Sequence, residues 1–113
     1  MRVSNELGLS ALDMSVVGSQ NGSAILVQNC VSFSVQSVST STGVGVIKVQ
    51  VSNDSVKDTP TNWTDLASAT INVTAASTLI LAKTEICYQW IRLVYTRTSG
   101  SGTLNARVKT IGF

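Results

Sequence analysis

The sequence alternates between apolar and polar residues along several short segments, and this alternation limits the folds that the chain can adopt. In the clearest case, three apolar residues alternate with three polar ones: Val31, Phe33 and Val35 with Ser32, Ser34 and Gln36. Because successive side chains of a β-strand point to opposite sides, this pattern predicts a strand with one buried and one solvated face. The same alternation occurs in residues 47–52 and 71–74.

Four further strands are predicted at residues 23–28, 78–82, 87–96 and 103–111, each bounded by Gly, Asn, Ser or Asp clusters. Many short strands without sustained helical periodicity indicate an all-β protein. We expect an antiparallel β-sandwich, jelly-roll or immunoglobulin-like, that forms one domain over residues 1–113. The predicted core comprises Val31, Phe33, Val35, Ile47, Val49, Val51, Ile71, Val73, Ile91, Leu93 and Val108.

The N-terminal segment and the two cysteines leave alternatives open. Residues 1–15 are predicted to be an extended arm or a short helix, with the only helical pattern in residues 6–14. Cys30 and Cys87 lie near the starts of two predicted strands. They either form an inter-sheet disulfide, as in immunoglobulin domains, or stay free and buried in a reducing compartment.

The composition argues against several classes of partner. Charged residues make up 12% of the 113 residues, about half the usual ~25%, so uncharged polar side chains must cover most of the surface. Eight basic and six acidic residues give a net charge of +2, which does not predict specific nucleic-acid binding. The longest apolar stretches fall far short of the roughly 20 residues that span a bilayer. No secretory signal is recognised, so we expect synthesis in a host cytoplasm.

Catalytic and metal sites are not predicted. The chain has no His, which removes the commonest general base and most catalytic zinc sites. Asp54, Asp58 and Asp65 lie in or beside one polar loop, where solvated turn formers are the ordinary interpretation. The alternative is a calcium site in which Asn53 joins these carboxylates. We therefore predict no catalytic residue, no cofactor and no required metal.

The longest loop is predicted at residues 53–62, and Trp63 follows it directly. An exposed Trp on a β-sandwich can stack on a sugar ring, so a carbohydrate- or host-receptor-binding module is the alternative function, with a glycan as its partner. The interpretation that we favour is that Trp63 packs beside Leu66 and closes one end of the sandwich.

Residues 99–102, Ser-Gly-Ser-Gly, are predicted to be the turn of a final hairpin. That register would place two cations opposite each other on the outer face, Arg92 and Lys109, which is unfavourable unless a partner neutralises them. Because exposed Trp and Arg are typical of interface hot spots, the sequence predicts a partner interface. The predicted interface residues are Trp90, Arg92, Val94, Arg107 and Lys109.

Several phrases of the sequence, within residues 44–112, carry a resemblance to a known class. They are VQVSND (49–54), NWTDL (62–66), YQWIRLVY (88–95) and GTLNA (102–106). They resemble small β-sandwich virion proteins of tailed bacteriophages. The resemblance implies a non-enzymatic structural role in a capsid, as a decoration protein, or in a neck or tail. It also implies localisation to the virion, contact with other virion proteins and a homo-oligomer. It supplies no catalytic residues.

Overall fold

The computed structural model describes residues 2–27, 30–55, 57, 59–84 and 88–112. Within these ranges the chain forms nine strands: β1 (Arg2–Asp13), β2 (Ser19–Asn21), β3 (Ile25–Leu26), β4 (Cys30–Ser39), β5 (Val44–Ser52), β6 (Thr64–Val73), β7 (Thr78–Thr84), β8 (Trp90–Ser99) and β9 (Thr103–Gly112). None of these described residues belongs to a helix long and apolar enough to cross a membrane.

The strands form two sheets, and all the pairings are antiparallel. Sheet A has the order β1-β9-β4-β7, and sheet B has the order β2-β8-β5-β6, with β3 also paired to β8. The apolar faces of the two sheets enclose one core. The predicted all-β antiparallel sandwich is therefore confirmed.

The strand order is that of a long antiparallel ribbon that has been rolled up. The ribbon reverses between β5 and β6, and moving outward from this reversal β4 pairs with β7, β2 and β3 with β8, and β1 with β9. Successive pairs alternate between the sheets, so that rolling the ribbon also brings β8 beside β5 and β9 beside β4. With β2 and β3 counted as one interrupted strand, this is an eight-stranded jelly roll.

The predicted inward-facing residues are buried. Ten of the eleven predicted core residues are at most 7% exposed, and the side chain of the eleventh, Val31, lies outside the described part of the structure. Burial of each large apolar side chain contributes about 1.5–3 kcal/mol. The core also contains residues that the alternation did not single out: Leu9, Leu12, Met14, Ile25, Val27, Ala69, Tyr95, Leu104 and Ala106.

The helical alternative for residues 6–14 is wrong, because this segment belongs to β1 and pairs with β9. The three-residue spacing of Leu9 and Leu12 resembles a helical period. In the structure it arises from register shifts between Leu7 and Leu9 and between Leu9 and Leu12. A bulge inserts an extra residue into a strand and so brings residues at uneven spacing onto the same face.

The predicted hairpin of β8 with β9 is also wrong. β8 lies in sheet B and β9 in sheet A, so residues 99–102 cross between the sheets. Gly100 and Gly102 have φ angles of 78° and 144°, which favour glycine. This crossover lies against the one between β4 and β5, with Thr42 N donating to Ser101 O at 3.0 Å and Thr40 N to Thr103 O at 3.1 Å.

Candidate interaction surface

The outer face of sheet B carries a network of polar side chains from three neighbouring strands. Ile91 and Leu93 are buried in the core, so Arg92 between them points outward. Arg92 on β8 lies opposite Gln50 on β5, which in turn lies opposite Asp65 on β6. Residues directly opposite each other share a face, so the three side chains form a row across the sheet.

Hydrogen bonds join this row from end to end. Arg92 Nε donates to Gln50 Oε1 at 2.8 Å, and Gln50 Nε2 donates to Asp65 Oδ1 at 2.8 Å. Lys48 Nζ lies 3.3 Å from Asp65 Oδ2 and forms an ion pair with it. The Arg92 guanidinium carbon lies 4.4 Å from the centroid of the Trp63 ring, within the range of a cation–π contact. We call these five residues the Arg92 network.

The electrostatics of the network follow from these contacts. The hydrogen bond from Gln50, together with that from Lys48, lowers the pKa of Asp65 below its usual value. Partial burial lowers the pKa of Arg92. The Lys48–Asp65 pair has side chains that are 37% and 58% exposed, so water screens it and it contributes little to stability. The network orders the surface and leaves both charged ends accessible to a partner.

The loop between β5 and β6 is held by the carboxylate of Asp54. Its Oδ2 accepts hydrogen bonds from Thr61 N at 2.7 Å and Asn62 N at 2.9 Å, and its Oδ1 accepts one from Asn62 Nδ2 at 2.9 Å. These bonds, the Asn62 side chain first, lower the pKa of Asp54 to about 2. Trp90 Nε1 donates to the Asp54 carbonyl oxygen at 3.1 Å, which fixes the loop to β8.

The oxygens considered for calcium are directed into separate contacts. Asn53 Oδ1 accepts a hydrogen bond from Gln89 N at 3.1 Å, while Asp54 and Asp65 accept the bonds described above. Asp58 lies outside the described residues. Across the described part of the chain, no three His, Cys, Asp or Glu side chains form a group that could hold a metal ion. Among the described residues of this loop, the candidate oxygens of Asn53 and Asp54 serve a turn held by Asp54 and a contact to Gln89 just before β8.

The five predicted interface residues do not lie on one face. Trp90, Arg92 and Val94 are on the outer side of sheet B, and Val94 is only 3% exposed between Asn21 and Lys48 of the neighbouring strands. Arg107 and Lys109 lie on the outer side of sheet A, because their strand pairs with β1 and β4. The predicted opposition of Arg92 and Lys109 is therefore wrong, and the residues of the single predicted interface lie on two separate surfaces.

The residues directly beside Arg107 and Lys109 on the two neighbouring strands are uncharged. Gln36 and Leu7 lie directly beside Arg107, and Ser34 and Asn5 lie beside Lys109. Arg107 Nη1 donates to Asn5 Oδ1 at 3.3 Å. Both cations are exposed, so this surface has a local positive charge.

Trp63 makes a contact that neither interpretation of the sequence included. Its ring is half-buried against Arg92, and the apolar cluster of described residues does not contain it. Leu66 is partly buried and packs against that cluster. Gln50 and Lys48 were not predicted as surface partners, because only the pairing of β5 with β6 and β8 brings them to Asp65 and Arg92. Cys87 lies outside the described residues, so both alternatives for the cysteines stand.

An open hollow of about 400 Å³ lies beside the network, between the start of β6 and the end of β5. Its polar lining comes from the side chains of Ser52, Asn53, Asn62, Thr64 and Asp65, and Tyr88 adds an aromatic ring. Amide and carboxylate groups beside an aromatic ring can hydrogen-bond hydroxyl groups and cover an apolar ring face.

The fold and these surfaces define a jelly-roll β-sandwich, and comparisons with known proteins agree on that class. No protein-family model matches the chain, and no curated protein matches it significantly. Among solved structures, the chain is similar to part of tripeptidyl peptidase 2, with a TM-score of 0.59 and 14% identity. That match covers 97% of this chain and 10% of the peptidase chain.

Two further similarities are to proteins of particles and fibres. A chain of the T13 particle of infectious bursal disease virus matches 98% of this chain over 31% of its own length, with a TM-score of 0.58 and 16% identity. A subunit of Bacillus endospore appendages, a family of disulfide-linked pili, matches 98% of this chain over 88% of its own length. Its TM-score is 0.52 and its identity is 12%. At these identities the similarities show a shared fold alone. The chain spans about a tenth and about a third of the first two structures.

Proposed function

We propose that this chain is a non-enzymatic structural subunit of a tailed-bacteriophage virion, located in the capsid as a decoration protein or in the neck or tail. In this proposal it forms a homo-oligomer and contacts other virion proteins through the surfaces of the sandwich. The observation that carries the proposal is the jelly roll itself, which recurs in viral capsid domains and spans 98% of the chain in the match to a viral particle.

The described surface supports an assembly role. Most of its exposed strand residues are Ser, Thr, Asn and Gln, which can hydrogen-bond a neighbour without the cost of desolvating a charge. The Arg92 network uses its polar groups to bond each other, which suits an ordered contact surface better than a reaction centre. The sequence adds no His that could act as a general base.

Two surfaces are candidates for these contacts. The first consists of Trp90 and Arg92 with the rest of the network on sheet B, and the second consists of Arg107 and Lys109 on sheet A. Exposed cations with uncharged neighbours favour a partner that brings carboxylates or backbone carbonyls, because complementary charges steer the encounter and fix its register. Arg92 is half-buried and bonds Gln50 at 2.8 Å, whereas Arg107 and Lys109 are exposed and Arg107 bonds Asn5 at the longer distance of 3.3 Å. The cations of the second surface are therefore the more accessible ones.

The test combines particle composition with surface variants. Mass spectrometry of purified particles from the virus that encodes the chain should detect it in a fixed ratio to the other virion proteins. Arg107→Glu and Arg92→Glu should lower incorporation while the melting temperature indicates an intact fold. Lys57→Glu is the matched control, because it makes the same charge reversal at an exposed loop residue that belongs neither to the Arg92 network nor to sheet A. Absence of the chain from purified particles would refute the proposal.

A second candidate function, a carbohydrate-binding module, is favoured by the open hollow of about 400 Å³ beside Tyr88. Jelly rolls also occur in lectins, where a sugar is held by polar groups and an aromatic ring. A glycan array, followed by NMR titration of the amides of Asn62 and Thr64, tests it. Specific shifts that disappear in Asn62→Ala would favour this function. If no glycan shifts these amide signals, the hollow does not bind a sugar and this function is wrong.

A further inference from the structure

The free edge of β7 differs from the other outer edges of the two described sheets. β1 is interrupted by two register shifts and by a positive φ at Ala11. β6 has a register shift opposite β5 and a positive φ at Ser68, and β2 and β3 are only three and two residues long. Bulges and short strands of this kind prevent an edge from pairing with another chain. β7 pairs with β4 through seven consecutive residues without a shift and contains no proline.

The hydrogen-bond pattern shows which backbone groups of β7 face outward. Ser39 N donates to Ser77 O at 2.9 Å, and the same register continues as Ser37 with Leu79 and Val35 with Leu81. In an antiparallel pair, the groups of alternate residues point towards the partner strand. The odd-numbered residues of β7 therefore bond β4. The N–H and C=O groups of the even-numbered residues point to the free edge: Thr78, Ile80, Ala82 and Thr84.

The side chains of β7 are also unusually apolar for an exposed edge. Ile80 is 69% exposed, and Leu79 and Leu81 are only partly buried against the core. Lys83 is the single charged residue of the strand. An exposed, unbulged and apolar edge strand is a template for pairing with another strand.

We propose that β7 pairs antiparallel with β7 of a second copy, about a two-fold axis at Leu81. This register pairs all seven residues of the strand and brings the outward-facing groups of Ile80 opposite those of Ala82 of the second copy. The two copies of sheet A then form one continuous eight-stranded sheet. The inference rests on the proposed function as an assembly subunit and names one of its contacts.

The choice of a second copy follows from the self-complementarity of the strand. Lys83 falls opposite Leu79 of the second copy, and the two lysines lie at opposite ends of the ribbon. Four residues of strand place them roughly 13 Å apart, which exceeds the ~8 Å Debye length at physiological salt. Ile80 lies beside Ala82 of the second copy on the outer face, so the pairing covers one side of the most exposed apolar side chain of the strand. The other described edges of the chain offer no unbulged stretch of this length.

Hydrogen exchange of the backbone amides tests the register without any substitution. In dilute protein, the amides of Leu79, Leu81 and Lys83 should be protected by β4, while those of Ile80 and Ala82 exchange rapidly. When the concentration is raised until the protein sediments as a dimer, Ile80 and Ala82 should become protected too. If these two amides exchange rapidly in the dimer, the proposed pairing is wrong.

The variant Ala82→Pro tests the same contact. The Ala82 N–H faces outward, so proline removes no bond to β4, and edge strands tolerate it. The substitution removes two hydrogen bonds across the two-fold axis, so the dissociation constant of the dimer should rise about tenfold or more. Val38→Lys is the control: it adds a charge to the same outer face one strand inward, beside Thr78, and should leave the dimer unchanged. If Val38→Lys disrupts the dimer and Ala82→Pro does not, the contact uses the face of sheet A and the proposal fails.

A folding defect in Ala82→Pro would be seen as a fall in melting temperature, and Ala82→Lys then replaces it, because it places a charge beside Ile80 of the second copy. The proposed function and the edge contact fail separately. If the chain is present in particles, and Ala82→Pro dimerises and is incorporated like the wild type, the edge contact is wrong and the proposed function stands. A chain absent from particles overturns the function whatever the dimer does.

Discussion

Tyr95 has a buried hydroxyl group that is unusual among the described residues. The residue is 0% exposed, and its hydroxyl oxygen has no hydrogen-bond partner in the part of the chain that the structure describes. Burial raises the pKa of this phenol. The ring is accommodated because Gly45 has no Cβ, which would otherwise press against the Tyr95 hydroxyl. A buried polar group without a partner costs about 1–3 kcal/mol, so the hydroxyl lowers the stability of the fold.

The first prediction follows from this hydroxyl. Tyr95→Phe keeps the ring and removes the unpaired oxygen, so the free energy of unfolding should stay the same or rise by about 1 kcal/mol. Urea unfolding followed by circular dichroism measures it. Gly45→Ala is the companion variant and should be destabilising, because its Cβ meets the same ring. A loss of more than about 1 kcal/mol in Tyr95→Phe would mean that a buried water bonds the hydroxyl.

The second prediction concerns Asp54 and pH. Its pKa is about 2 in the folded chain, below its ordinary value of 3.8. The ionised form therefore stabilises the fold fully above about pH 4, and this contribution is lost as the pH falls towards 2. Asp54→Asn should be less stable than the wild type at pH 7, and the difference should shrink between about pH 4 and pH 2.

Denaturation curves followed by tryptophan fluorescence measure this difference, since Trp90 bonds the Asp54 carbonyl. Asn62→Ala is the matched variant, because it removes the largest cause of the shift and keeps the carboxylate. It should raise the pKa of Asp54 in a carbon-detected NMR titration. An Asp54→Asn difference that is constant from pH 7 to pH 2 would contradict the prediction.

At the scale of the strands, the sequence identified faces but not neighbours. Period-two alternation is a local property, and it placed Phe33, Ile47 and Leu93 correctly in the core. Pairing depends on which distant segments meet. A Ser-Gly-Ser-Gly segment serves a hairpin turn and a crossover between sheets equally well. The deciding contacts come from Thr40 and Thr42, some 60 residues earlier in the chain.

The third prediction tests that crossover. At Gly102, a Cβ would clash with the carbonyl oxygen of Thr40, and φ is 144°. Gly18 also has a positive φ, 96°, but a Cβ there meets nothing within 4 Å. Both alanine variants carry backbone strain of about 1–3 kcal/mol, and Gly102→Ala should lose clearly more stability because of the clash. Equal losses by thermal melting would show that the two crossovers do not pack together.

At the scale of the whole molecule, the rolled ribbon explains why the surface could not be predicted. Rolling separates β8 and β9, so one predicted stripe is divided between opposite sides of the sandwich. The same rolling assembles the Arg92 network from residues 48, 50, 63, 65 and 92, which no local pattern connects. Residue types were informative, since Trp and Arg do meet on this surface. The residues that they contact could be identified only from the order of the strands in the sheets.

The fourth prediction distinguishes the two kinds of assembly contact by their response to salt. Raising NaCl from about 0.1 M to about 1 M shortens the Debye length from about 10 Å to about 3 Å. Pairing of β7 edges uses backbone hydrogen bonds and apolar side chains, so its dissociation constant should change by less than about threefold. Binding of the proposed acidic partner to Arg107 and Lys109 should weaken by about tenfold or more, because exposed charges are screened.

Sedimentation velocity at the two salt concentrations measures the self-association, and titration with the partner measures the second contact. Arg107→Glu provides the internal standard: it should weaken partner binding, reduce its salt dependence because only Lys109 remains, and leave the β7 dimer intact. Lys57→Glu makes the same change of net charge in the exposed loop and should alter neither. A dimer that dissociates at high salt, and equally in Arg107→Glu, would show that the copies meet through the charged face of sheet A, with β7 left unpaired.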